Sequence, residues 1–192
     1  LDPTSSAFRA VTNTGSSAFR IDQVLENVEI IASNLSFNLF TFNSGAKVEL
    51  AVDKITGKIV NNGPLTCELG EYTNTISGSG SLIKSTTGTV TLSGSNSYTG
   101  TTTITAGNLT LSSTGSIENS RVDVTGGTLE IQGNKTINHL DCDSSGAIVL
   151  GSNTLTIYQP TIGFEGNIAG TISGSGGIIK DGPGETWLFG SN

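Results

Sequence analysis

The chain of 192 residues has no methionine, one tryptophan, one histidine, two cysteines and four prolines, and only 13% of its residues are charged. Each scarcity excludes something. Two cysteines cannot build a disulfide-dense scaffold or a four-thiolate zinc site. A lone histidine excludes sites built on paired imidazoles. A disordered chain of comparable hydrophobicity would carry more charge and more proline. No apolar run approaches the ~20 residues a membrane-spanning helix needs, so membrane insertion is not expected. Nine Lys and Arg stand against sixteen Asp and Glu, a net charge of −7 with no basic run. Such a surface repels phosphates and argues against nucleic acid or an anionic membrane as principal partner.

What is present is a regular arrangement of few apolar residues among 26 glycines and many Ser, Thr and Asn. Gly, Asn and Ser make turns, and Val, Ile and Thr favour strands. Many short strands with many turns are expected, within one structural domain. The chain opens on Leu1 rather than methionine, as a processed chain or a piece of a longer one would.

An internal repeat organises the sequence. Residues 75–96, TISGSGSLIKSTTGTVTLSGSN, align without a gap to residues 171–192, TISGSGGIIKDGPGETWLFGSN, at an offset of 96, with 13 of 22 positions identical. Upstream, VNNGPLTC (60–67) parallels LGSNTLTI (150–157) at an offset of 90, which pairs Leu65 with Leu155 and Cys67 with Ile157. Both copies are expected to keep one strand pattern. Within the unit apolar residues alternate with polar ones: Val90 and Leu92, Leu109 and Leu111, Val122 and Val124, Leu129 and Ile131. That is the period of strands with one buried face, recurring about every ten residues. A duplicated unit with small turn residues favours a β-solenoid over a sandwich or barrel, because stacked coils want the same residue type at each level. Coils of about 20–25 residues are expected.

The N-terminal region differs. SSAFR occurs at 5–9 and 16–20, and IDQVLENVEIIA (21–32) sets Ile21, Val24, Leu25, Val28 and Ile31 on one helical face. A solenoid end exposes strand edges and needs a cap, so residues 1–33 are assigned as a capping element and 34–192 as the solenoid. Helix and strand both remain open for 21–32.

With the repeat in view, residues 76–111 closely resemble the autotransporter-associated β-strand repeat. The residues that carry the likeness are Ile76, Gly78, Gly80, Lys84, Gly88, Leu92, Gly94, Asn96, Tyr98, Gly100, Thr103, Gly107, Leu109 and Leu111. Val90 replaces the commoner Leu, and Thr87 lies where Gly or Ala is frequent. The second copy, 171–192, stops before its Tyr-x-Gly half. The resemblance implies a right-handed parallel β-helix, exported through the outer membrane and displayed on or released from a bacterial cell. It implies adhesin-type binding to a host or neighbouring cell surface, protein or glycan, with adhesion and virulence as the associated roles. A complete autotransporter would also have a C-terminal translocator barrel, several hundred residues absent from this sequence.

The candidate chemistry is thin. In NHLDCDSS, an extended backbone puts His139, Asp141 and Asp143 on one face and Leu140 and Cys142 on the other. A histidine beside two carboxylates could hold a cation or act as acid and base, but a merely solvated strand face is the better account of it. ISGSG and GSGG lack the helix and the Gly-Lys-Ser/Thr ending of a phosphate loop and read as turns, so no cofactor or metal is expected and the chain reads as non-enzymatic. Alternatives are a β-helical polysaccharide lyase or hydrolase, and a self-assembling fibre subunit joined head to tail or laterally through open ends. Trp187 and Phe189 replace Thr91 and Ser93 of the first copy, outward by alternation around an inward Leu188. They form the candidate contact surface, since exposed aromatics mark docking sites, with cover by further coils or a lateral loop as the alternative. Cys67 and Cys142 occupy apolar positions about three coils apart, too far for a disulfide, and are expected buried and reduced.

Overall fold

A computed structural model describes residues 27–36, 40–42, 47–163 and 165–190. They contain strands, turns and extended segments and no helix. Every strand pairing is parallel. The chain is a parallel β-solenoid, as the repeat and the alternation lead one to expect. The register shows coil lengths that vary, from 17 residues between Leu65 and Leu82 to 26 between Cys142 and Ile168, wider than the expected 20–25.

Each coil offers three strand positions, which stack into three faces. The first face runs through Leu82–Lys84, Thr102–Ile104, Val122–Val124, Leu140–Cys142, Glu165–Ile168 and Glu185–Leu188. The second runs through Thr89–Leu92, Asn108–Leu111, Thr128–Ile131, Ala147–Gly151 and Thr171–Gly174. The long strands Lys47–Thr56 and Leu65–Tyr72 belong to both and join them into one sheet. The third face holds Phe40–Phe42, Lys58–Asn61 and Thr75–Ser77 at one end, and Lys135–Asn138, Thr154–Tyr158 and Gly177–Asp181 at the other. Single bridges, Ser95 to Ser116 and Ile117 to Ile137, link these two groups.

The interior is a set of columns of like residues. Val90, Leu109, Leu129 and Ile148 form one, and Tyr72, Leu92, Leu111 and Ile131 another. All eight residues expected to face inward are buried. Burial of such side chains stabilises by roughly 1.5–3 kcal/mol each, so regular stacking lets a chain with few apolar residues hold a core. The corners explain the glycines. A Cβ on Gly94 would lie 1.8 Å from the Asn74 carbonyl oxygen, and Gly78 turns the chain at φ +103°, a conformation only glycine adopts freely. Asn96 joins three segments: its Oδ1 accepts from Ile76 N at 2.9 Å, and its Nδ2 donates to Gly94 O and Ser116 O at 2.9 and 3.1 Å.

The two repeat copies do not occupy the same faces. Leu82 lies on the first face and its counterpart Ile178 on the third; Val90 lies on the second and its counterpart Thr186 on the first. Leu65 and Leu155 are displaced in the same sense. The second copy is therefore rotated back by one face, because coils of unequal length accumulate to something other than whole turns. Both copies keep their strands, as expected, and change only their azimuth.

At the N-terminal side, Asn27–Ser36 is a strand in register with Lys47–Thr56, from Asn27 opposite Lys47 to Ser36 opposite Thr56. For residues 27–32 the strand alternative holds, since β-branched Val28, Ile30 and Ile31 suit a ladder position beside a formed coil. The rest of the assigned cap, residues 1–26, lies outside the described residues.

Candidate functional site

The first face carries Asp141 and Trp187 on its outer surface, with His139 and Asp143 just outside the strand Leu140–Cys142. Leu140 and Cys142 face the core and Asp141 faces out, as alternation requires. His139 precedes the strand at a corner with φ +63°, the one positive φ of a non-glycine among the described residues, and is buried to 6% exposure. Its Nε2 lies 2.7 Å from Asp141 Oδ2 and its Nδ1 2.7 Å from Gln159 Oε1. Gln159 Nε2 donates to the Glu185 carbonyl at 3.1 Å, which sets the amide so that its oxygen faces the imidazole; Nδ1 is then a donor.

Asp141 is more heavily used than the sequence suggested. Arg121 reaches across one coil to Asp141 Oδ2, with its Nε on Asp123 Oδ1 at 2.8 Å. Asp141 Oδ1 accepts from Asn167 N at 2.8 Å. The carboxylate thus ties together three coils, through Arg121, its neighbour His139, and Asn167. Both ring nitrogens are engaged, and the carboxylate accepts two bonds at Oδ2 and one at Oδ1, so the pair acts as a clasp between coils.

Asp143 does not join it. Its Oδ1 accepts from Ser145 N and Gly146 N at 2.9 and 3.1 Å, closing the turn after the strand. The expected triad is a pair plus a turn residue, because the chain leaves the extended conformation after Cys142. Arg121 and Gln159, 18 and 20 residues from His139, were invisible to a reading along the strand; only coil length brings them there. Among the described residues no group of three or more His, Cys, Asp or Glu could hold a metal ion.

No protein-family model, curated protein or solved structure matches the chain.

Trp187 and Phe189 point outward, 47% and 65% exposed, with ring centroids 6.4 Å apart and planes within 13°. Trp187 stands on the first face, in the outer column that runs from Asp123 through Asp141 and Asn167, and Phe189 follows just beyond the strand. Their counterparts Thr91 and Ser93 belong to the second. Leu188, expected inward and buried, is 55% exposed. It pairs with Ile168 on one side, and among the described residues no strand covers the other. Alternation sets its direction, but burial needs a coil on each side.

Cys67 and Cys142 are buried free thiols. Burial pushes Cys67 up to about 12, against the pull of a hydrogen bond from Tyr72, and Cys142 up to about 11. Both thiols stay protonated and unreactive at neutral pH. They share one inward column of the first face, continued through Lys84, Ile104 and Val124. Four coil steps separate them, not three, or about 19 Å at ~4.8 Å per step. The miscount came from assuming long coils.

Lysines at inward positions are the residues that sequence reasoning passed over. Lys84 is fully buried, with Nζ donating to the Thr86 carbonyl and, at 3.1 Å, to Thr86 Oγ1. Lys180, its counterpart in the second copy, donates in the same way to Gly182 O at 2.6 Å. Lys135 donates to Gly115 O and Ser113 O at 2.6 and 3.0 Å. Burial lowers the pKa of Lys84 and of Lys135. The Lys84 and Lys135 ammonium groups satisfy turn carbonyls at part-buried and buried positions, and Lys180 does so at an exposed one. The signal for Lys84 was its place two residues after Leu82, which alternation makes inward.

Proposed function

We propose that this chain is part of the exported passenger of a bacterial autotransporter, a non-enzymatic rod displayed at the cell surface as stalk and adhesin-type binding module. The observation that carries the reading is the structural use of the repeat residues. Gly78, Lys84, Gly94, Asn96, Tyr98 and Gly107, the residues by which the sequence resembles that family, each hold a corner or a turn of the coil. Tyr98, for example, is buried and bonded through its hydroxyl to Thr102, which in turn bonds Ser120. Two reduced cysteines with no disulfide suit a chain that crosses a membrane unfolded. The engaged state of Asp141 and His139 favours a binding rod over a polysaccharide lyase or hydrolase.

On intact cells of the bacterium that makes this protein, antibodies raised against it should label the outside, and added protease should remove the label. Protein found only in the cytoplasm would overturn the proposal.

A further inference from the structure

The last described strand of the first face, Glu185–Leu188, differs from its counterpart in the first copy at every outward position. Glu185 stands for Thr89, Trp187 for Thr91, and beyond the strand Phe189 for Ser93. The coil forms with small hydroxyl residues there, so the fold does not require the acid or the aromatics. The register places Glu185 directly beside Glu165 of the preceding strand, and Trp187 beside Asn167. Gly166 and Ile168 are buried while Glu165, Asn167, Glu185 and Trp187 are exposed, so these four side chains share the outer surface.

Two carboxylates at directly neighbouring ladder positions, with strands about 4.8 Å apart, repel each other. Among the described residues neither has a hydrogen bond or ion pair on its carboxylate. Beside them lie the exposed, nearly parallel rings of Trp187 and Phe189, whose faces attract cations. Unpaired like charges and open ring faces want the same occupant, a positive one. The chain's net charge of −7 attracts such an occupant at long range and repels a second copy of itself. A neutral glycan would use the rings but leave the carboxylates opposed.

We propose that this surface docks a basic polypeptide segment, seating a Lys or Arg side chain of the partner between Glu165, Glu185 and the Trp187–Phe189 rings. The proposal rests on the reading of the rod as a binding module and names the chemistry of its partner.

The sole tryptophan of the chain is in the site, so its fluorescence reports occupancy. Titration of the purified chain with a peptide of alternating Lys and Gly should give a saturable change that weakens with salt, and alternating Glu and Gly should give none. The double variant Glu165→Gln, Glu185→Gln should bind about tenfold more weakly. A control that removes the same charge far away, Glu49→Gln with Asp53→Asn, should bind as the parent does. In calorimetry Trp187→Thr with Phe189→Ser, the residues of the first copy, should abolish the specific heat while circular dichroism stays unchanged. No response to the Lys peptide overturns the proposal. So does equal weakening by the distant control, which would mean diffuse attraction, or a Trp187 shift that follows protein concentration without peptide, which would mean self-association. The titration uses purified protein: if antibodies find the chain inside the cell, the surface reading falls while this result stands.

Discussion

Leu92 and Leu188 are the same residue at the same position of the two repeat copies, yet replacing them with alanine should have very different costs. Leu92 is fully buried, between Tyr72 on one coil and Leu111 on the next. Leu92→Ala removes its buried methyl groups and leaves a cavity that flanking coils, held by their own ladders, fill poorly; Leu→Ala in such settings costs about 3–5 kcal/mol. Leu188 already has 55% of its surface in water and a neighbour on one side. It keeps less than half of the transfer contribution and encloses no cavity, so Leu188→Ala should cost about 1 kcal/mol or less. For a chain of this size 1 kcal/mol corresponds to about 2–4 °C in Tm. Leu92→Ala should therefore lower Tm by roughly 6–20 °C and Leu188→Ala by no more than about 4 °C. Urea denaturation followed by circular dichroism checks the same order, with an unchanged slope showing that the unfolding unit is intact. Equal losses would refute the reasoning, since they would mean that Leu188 is covered as Leu92 is.

Three other outcomes follow from the geometry. Asp141→Ala, which strands Arg121, His139 and the Asn167 amide, should cost about 2–3 kcal/mol, against about 1 kcal/mol for Asp143→Ala, which loses a turn cap; equal costs measured by denaturation would restore the expected triad. A thiol reagent should label two cysteines after denaturation and neither before it; a native disulfide would show as no labelling in either state. The folded-state pKa of Cys67 is raised to about 12, so its contribution is complete below the unfolded value near 9 and is lost as pH rises from there towards 12. Buried Tyr72 and Tyr98 shift in the same direction. Alkaline titration of stability should therefore fall by up to about 1.4 kcal/mol per pH unit for each group, and Cys67→Ala should make that limb shallower; an unchanged limb would show that Cys67 is not responsible.

The sequence alone determined which residues face the core. Alternation at a period of two is a local property of extended backbone, so Val90, Leu92, Leu109, Leu111, Val122, Val124, Leu129 and Ile131 could be assigned inward without knowing what lies next to them. The duplication likewise pointed to a stack of coils, because stacked coils want the same residue types at each level. Tertiary structure alone decided everything that depends on how long each coil is. A coil of 17 residues and one of 26 look alike as strings of short strands, yet their sum rotates the second copy by one face and moves Trp187 into the column of Asp141. Coil length also puts Cys67 and Cys142 four steps apart, and brings Arg121 and Gln159 to Asp141 and His139. Leu188 shows the other limit. Its direction follows from its own strand, but its burial depends on neighbours above and below, and pairing across a stack is a property that no single strand contains.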